Sequence, residues 1–306
     1  MINRELIRIK AVQLTYAYFQ NGNHNIDNAE KELVFSLSKS YHLYNYLLQL
    51  IVEVTKMARK HLEVAAARAE REGQPVPSAK FVDNKFALQL ETNKMLQEFY
   101  DGQMRIWEDN IEYVKKLYLL IEASDIYKEY MADSSSSYEA DREVWRKIYR
   151  QFIQDNDDLA AVLEEISLYW NDDKEVVDTF VLKTIKRFDE KSNANFELLP
   201  EYRDEEDREF ARKLFRASIL NTEQYQRYMT EASINWDFSR LAYMDVIIMQ
   251  IALAEILTFP NIPVEVTINE YVDIAKLYST PKSGGYVNAM LDNIARGLRE
   301  EGKLLK

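Results

Sequence analysis

The chain contains no cysteine, which excludes a disulfide scaffold, thiolate catalysis and any Cys-ligated metal site. Glycine and proline are sparse, with 7 and 6 residues among 306. A β sandwich or barrel needs a turn about every 8–12 residues and cannot be built from so few turn formers. The three histidines, His24, His42 and His61, crowd into the first quarter of the chain. None lies four residues from another and none completes a Glu-x-x-His pair, so the pattern of a helical di-metal site is missing. There is no Walker A loop, no G-x-G-x-x-G and no G-x-S-x-G, hence none of the usual phosphate cradles or nucleophile elbows. Acidic pairs such as Glu164-Glu165 and Glu205-Glu206 are adjacent in sequence and would not face each other on a helix, so they form no acid/base dyad. The most apolar run, Val246 to Phe259, is interrupted by Gln250 and Glu255 and is too short to span a bilayer. The opening MINRELIRIK carries Arg4, Glu5, Arg8 and Lys10 where a signal peptide needs an apolar core. These absences lead to the expectation of a soluble, cytoplasmic protein without a bundle metal site and without a recognisable catalytic motif.

What remains is apolar residues and acid. At 47% hydrophobic and 29% charged, the chain can bury a core and is not disordered. Its net charge of −12 is unevenly distributed: residues 1–20 carry +2, residues 210–306 balance 11 bases against 11 acids, and residues 21–209 hold −14. Exposed charges are screened over about 10 Å at 0.1 M salt, so a local cationic surface can persist at one end of an acidic protein. The acidic middle itself reads as a solvated helical surface.

Helical periodicity runs through most of the chain. Leu6, Ile9, Val12 (or Gln13) and Tyr16 recur at helical spacing over residues 3–20, with Arg4, Arg8 and Lys10 elsewhere on the cylinder, and Asn21-Gly22-Asn23 stops the helix. Two long stretches, 29–70 and 81–131, flank the breaker Arg71-Glu72-Gly73-Gln74-Pro75-Val76-Pro77-Ser78 and predict a helical hairpin over 29–131, with a kink near Gly102. A linker over 132–138 contains four consecutive serines. Shorter helices are predicted over 139–155, 158–170 and 174–188, followed by an acidic connection over 189–209. Five further helices are predicted near 207–220, 222–233, 238–258, 268–278 and 286–299. Residues 241–257, from Leu241, are apolar nearly all round, which predicts a central buried helix. Thr267-x-x-Glu270 has the spacing of a capping box. Ser283-Gly284-Gly285 precedes the last predicted helix, and free amides at a helix start attract phosphate. Equally, those glycines fit a simple loop. The basic first helix can contact RNA phosphates, with Tyr16 or Tyr18 stacking on an unpaired base, or present an ordinary wet face.

Three ordered blocks decide between these readings. They are Asp245-Val-Ile-Ile-Met-Gln-Ile-Ala-Leu-Ala-Glu-Ile-Leu, then Ile262-Pro-Val-Glu-Val-Thr-Ile-Asn-Glu-Tyr-Val-Asp-Ile-Ala-Lys276, then Tyr286-Val-Asn-Ala-Met-Leu-Asp-Asn-Ile-Ala295. In order and spacing they closely resemble the NusB family of transcription antitermination factors. Arg8-x-x-Ala11-Val-Gln13-x-x-Tyr16 resembles that family's first helix. The resemblance covers residues 1–20 and roughly 204–298. It implies an all-α, NusB-like helical bundle made of residues 1–20 and 204–306, with residues 21–203 inserted as a long helical hairpin and extra helices.

By the same resemblance the chain is a non-enzymatic antitermination factor. It would bind single-stranded boxA-type RNA together with the ribosomal protein NusE, in RNA polymerase antitermination complexes on ribosomal-RNA genes. Carried over position by position, the RNA-contacting residues would be Arg4, Arg8, Lys10, Tyr16, Asp245, Lys282, Ser283 and Tyr286. The chain departs from the family in its three dispersed N-terminal bases, in Gln250 where many members have Arg, and in Ala289 for the usual Gly. Each lost phosphate contact removes affinity, which implies weak RNA binding unless a basic partner assists. An alternative is a protein-interaction scaffold with the NusB fold, whose acidic insert docks a basic partner. A third relation, to the N-terminal part of ribosomal-RNA cytosine methyltransferases, is disfavoured because no S-adenosylmethionine loop is visible.

Overall fold

The computed structural model of the chain describes residues 1–22, 25–233 and 242–306. Fifteen α-helices are found among them: α1 (Arg4–Gln20), α2 (Ile26–Glu72), α3 (Lys85–Glu91), α4 (Lys94–Gly102), α5 (Ile106–Asp109), α6 (Ile111–Ala123), α7 (Asp125–Ala132), α8 (Tyr138–Ile148), α9 (Asp157–Ile166), α10 (Lys174–Arg187), α11 (Glu205–Leu220), α12 (Thr222–Ala232), α13 (Tyr243–Thr258), α14 (Val264–Tyr278) and α15 (Ser283–Glu300). A π-helical turn, Tyr149–Gln154, extends α8. The chain is all-α, and the only strand-like pairing among the described residues is a single bridge between Ile2 and Tyr202. No helix among them is long and apolar enough to cross a membrane. His24 and residues 238–241 of the predicted buried helix, Leu241 included, lie outside the described residues.

Two compact units form. One contains Met1 and Ser38–Glu201, the other Ile2–Leu37 and Tyr202–Lys306. In the first, α2 is unbroken until Gly73, whose φ of 63° ends it. The following amide, Gln74 N–H, donates back to the Ala69 carbonyl at 2.8 Å, the hydrogen bond of a glycine C-cap. The second stretch, 81–131, is not one helix but five, α3 to α7. The cause is local capping. Asn84, Asn93 and Ser124 turn their side chains onto the free amides of Ala87, Leu96 and Tyr127 at 3.0, 3.1 and 3.2 Å, and each restarts the helix at a new angle. Trp107 and Trp145 are fully buried in this unit's core, and the Trp107 indole donates to the Tyr46 carbonyl at 2.8 Å.

The second unit is built around α13, in which every residue from Asp245 to Ile256 is buried. Helices α1, α11, α12, α14 and α15 all pack on it, as its all-round apolar sequence requires. Two local expectations are corrected. Helix α14 starts at Val264, with Pro263 as its N-cap at φ −58° and ψ 142°, so Thr267 and Glu270 lie inside the helix and form no capping box. Ser283-Gly284-Gly285 is the first turn of α15 itself, not a loop before it. A Cβ on Gly284 would lie 2.9 Å from Cγ of Lys276, so glycine permits the close packing of α15 on α14.

Candidate nucleic-acid interface

Helix α1 carries the N-terminal bases into the second unit, and the fold uses them internally. Arg8 is 4% exposed. Its Nε and one terminal nitrogen donate to the two carboxylate oxygens of Glu255 at 2.9 and 2.8 Å, and its other terminal nitrogen lies 3.0 Å from Glu270. Glu255 also accepts from the Thr267 hydroxyl at 2.9 Å and the Tyr271 hydroxyl at 3.0 Å. Burial opposes the Arg8 charge, but the bonded Glu255 carboxylate outweighs it and holds the guanidinium above its ordinary range. Burial and the adjacent Glu255 also push the Tyr271 hydroxyl well up. Arg4 reaches Glu206 at 2.6 Å and Asp207 at 3.1 Å and lies 4.9 Å from the Phe210 ring centre. Lys10 is 2% exposed. The bases that sequence placed on a wet cationic face therefore serve the core (Arg8, Lys10) or an acidic surface cluster (Arg4).

The opposite end of α13 is different. Here the first turns of α13 and α15 meet: the Ser283 hydroxyl donates to Oδ2 of Asp245 at 2.9 Å and accepts from the Thr280 amide at 3.1 Å. Oδ1 of Asp245 is buried without a hydrogen-bond partner among the described residues, an uncommon cost for a native structure. Tyr243, 43% exposed, meets the Tyr16 ring edge-on with centroids 5.5 Å apart. Tyr286 is half-buried, and burial, then the Asp245 charge, raise its hydroxyl above the ordinary range. Lys282 and Gly285 are exposed. Two helix starts, each a positive dipole end, thus share a rim with three tyrosines and a lysine.

Of the eight sequence-derived positions, the fold gathers Tyr16, Asp245, Lys282, Ser283 and Tyr286 at this end. Arg8 is held near the other end of α13, since Asp245 and Glu255 are about 15 Å apart along the helix axis, and Arg4 shares the Phe210 ring with Arg8. Sequence reasoning missed Tyr243, whose only signal was a large polar aromatic two positions before Asp245. It also missed the partners of Arg8, Glu255 and Glu270, which lie far from it in sequence.

The NusB family model matches residues 177–296. The transcription antitermination protein NusB of Salinibacter ruber is 36% identical over 99 residues, which is 32% of this chain and 62% of that protein. That of Natranaerobius thermophilus is 41% identical over 80 residues, 26% of this chain and 58% of its own length. That of Chloroherpeton thalassium is 35% identical over 99 residues, 32% of this chain and 47% of its own. The chain therefore spans about half to three fifths of the relatives it matches. No solved structure matches. Asp245, Glu255, Ser283 and Tyr286 all fall inside the matched stretch, and it is this C-terminal part of the chain that resembles the NusB family.

Proposed function

We propose that the protein is a non-enzymatic transcription antitermination factor that contacts single-stranded boxA-type RNA, together with NusE, through the paired starts of α13 and α15. The carrying observation is the Asp245–Ser283 hydrogen bond at 2.9 Å, which joins two helix N-termini beside Tyr16, Tyr243 and Tyr286. Free helix-start amides suit phosphate, and exposed tyrosine suits an unstacked base. The NusB-like bundle in this reading comprises the first helix and residues 204–306. RNA affinity rests on stacking and on Lys282, with few phosphate contacts. The salt dependence is accordingly shallow, about −0.7 in log–log slope per phosphate neutralised on a single strand. Titration of labelled boxA RNA and a scrambled control, with and without NusE, tests this. A preference for boxA that strengthens with NusE supports it, and equal binding of both RNAs in both conditions contradicts it.

A second reading, a scaffold that binds NusE without RNA, is favoured by one observation: Arg4 and Arg8 are already neutralised by Glu206, Asp207, Glu255 and Glu270. It predicts that NusE is retained at full affinity by Lys282→Glu with no RNA present.

A further inference from the structure

Outside the stretch that matches the NusB family, in the unit containing Ser38–Glu201, a cavity of about 220 Å³ opens between α2, the turn before α3, and the α6–α7 corner. Its chemistry is set by His61 from α2, Phe81 from the turn, Tyr118 and Glu122 from α6, and Tyr127 and Met131 from α7. The His61 and Tyr118 rings meet edge-on at 4.9 Å, and the Phe81 and Tyr127 rings tilt together at 5.0 Å. The Tyr118 hydroxyl donates to Oε1 of Glu122 at 2.7 Å, which fixes the carboxylate at the mouth. Burial keeps the Tyr118 hydroxyl protonated by raising it above its ordinary range. No lysine or arginine lines the cavity. The nearby Lys80 ammonium is held by the Tyr130 and Ser135 carbonyls at 2.6 and 3.1 Å.

The aromatic rings, the thioether and the carboxylate of this lining favour positive charge over negative. Aromatic rings present negative faces to a cation, a thioether is polarisable, and the Glu122 carboxylate has no lysine or arginine beside it in the lining. An anion would meet repulsion from the carboxylate and find no donor beyond the His61 ring and hydroxyls. The volume is below the range of about 300–1,000 Å³ typical of larger ligands. We propose that this cavity binds a small alkylammonium ion, a primary or quaternary ammonium on a short apolar stem, with the charge beside Glu122 and the tyrosine rings.

Calorimetric titration of the full chain with choline, butylammonium and the neutral isostere 3,3-dimethylbutan-1-ol tests this. Saturable one-site binding of at least one cation is expected, with the neutral alcohol about tenfold weaker or more. Glu122→Gln keeps an acceptor for Tyr118 but removes the charge. It should weaken cation binding about fivefold to tenfold with an unchanged thermal midpoint. Met131→Trp, which fills the cavity, should abolish binding. The proposal is overturned if neither cation saturates, if the neutral alcohol binds as tightly as choline, or if Glu122→Gln leaves the affinity unchanged.

Discussion

Arg8 shows what a single side chain can hide. Its spacing from Leu6, Ile9 and Val12 assigns it to a wet face, yet every residue from Leu6 to Val12 is buried, and the carboxylate that neutralises it lies near the C-terminal end of α13. No local pattern links residues so far apart in sequence. Removing one partner of a buried, hydrogen-bonded ion pair strands the other's charge. Arg8→Ala is therefore expected to cost about 3–5 kcal/mol, read by urea denaturation, because Glu255 keeps its burial and loses its cation. The double variant with Glu255→Leu should cost clearly less than the two single variants added, since neither charge is then left alone. Tyr243 is the opposite case: its half-exposure is a fact of packing that alternation in the sequence could not announce.

At the scale of helices, legibility followed the source of each boundary. The buried helix α13 and the breaker after α2 were readable, because one depends on an all-round apolar run and the other on Gly73 and its flanking prolines. The division of residues 81–131 was not, because Asn84, Asn93 and Ser124 act through single side-chain hydrogen bonds that leave the apolar period intact. Asn93→Ala should cost about 1 kcal/mol through the lost cap. The glycines of α15 make a sharper pair. Gly297 has nothing within 4 Å of an added Cβ, so Gly297→Ala should raise stability by about 0.5–1 kcal/mol through helix propensity. Gly284→Ala has the same propensity gain but drives Cβ to 2.9 Å from the stem of Lys276. Overpacking of that kind costs about 1–3 kcal/mol and should make the change neutral or destabilising in the same thermal melts. Between α2 and α3, the Arg59 hydrogen bond holds the Glu91 carboxyl below its ordinary value of 4.5. A depressed folded value gives a contribution that is complete above the unfolded pKa and lost as pH falls through the folded one. With both side chains partly exposed, the effect is at most about 1 kcal/mol. Arg59→Ala should therefore lower the thermal midpoint at pH 7 and narrow its difference from wild type as the pH falls below about 4.

For the molecule as a whole, the chain forms two units, Met1 with Ser38–Glu201 and Ile2–Leu37 with Tyr202–Lys306, and the C-terminal part carries the family resemblance. The cationic groove that the sequence suggested does not form from the N-terminal bases. The proposed contact is instead the tyrosine-rich rim at the starts of α13 and α15, where Lys282 is exposed. Fluorescence anisotropy with labelled boxA RNA in the presence of NusE separates the two locations most directly. Tyr243→Ala and Lys282→Glu should each weaken binding about tenfold, while Arg4→Ala, at the other end of the unit, should leave it within about twofold of wild type. Loss of binding on Arg4→Ala, with Tyr243→Ala and Lys282→Glu unaffected, would contradict the placement of the RNA contact at these helix starts.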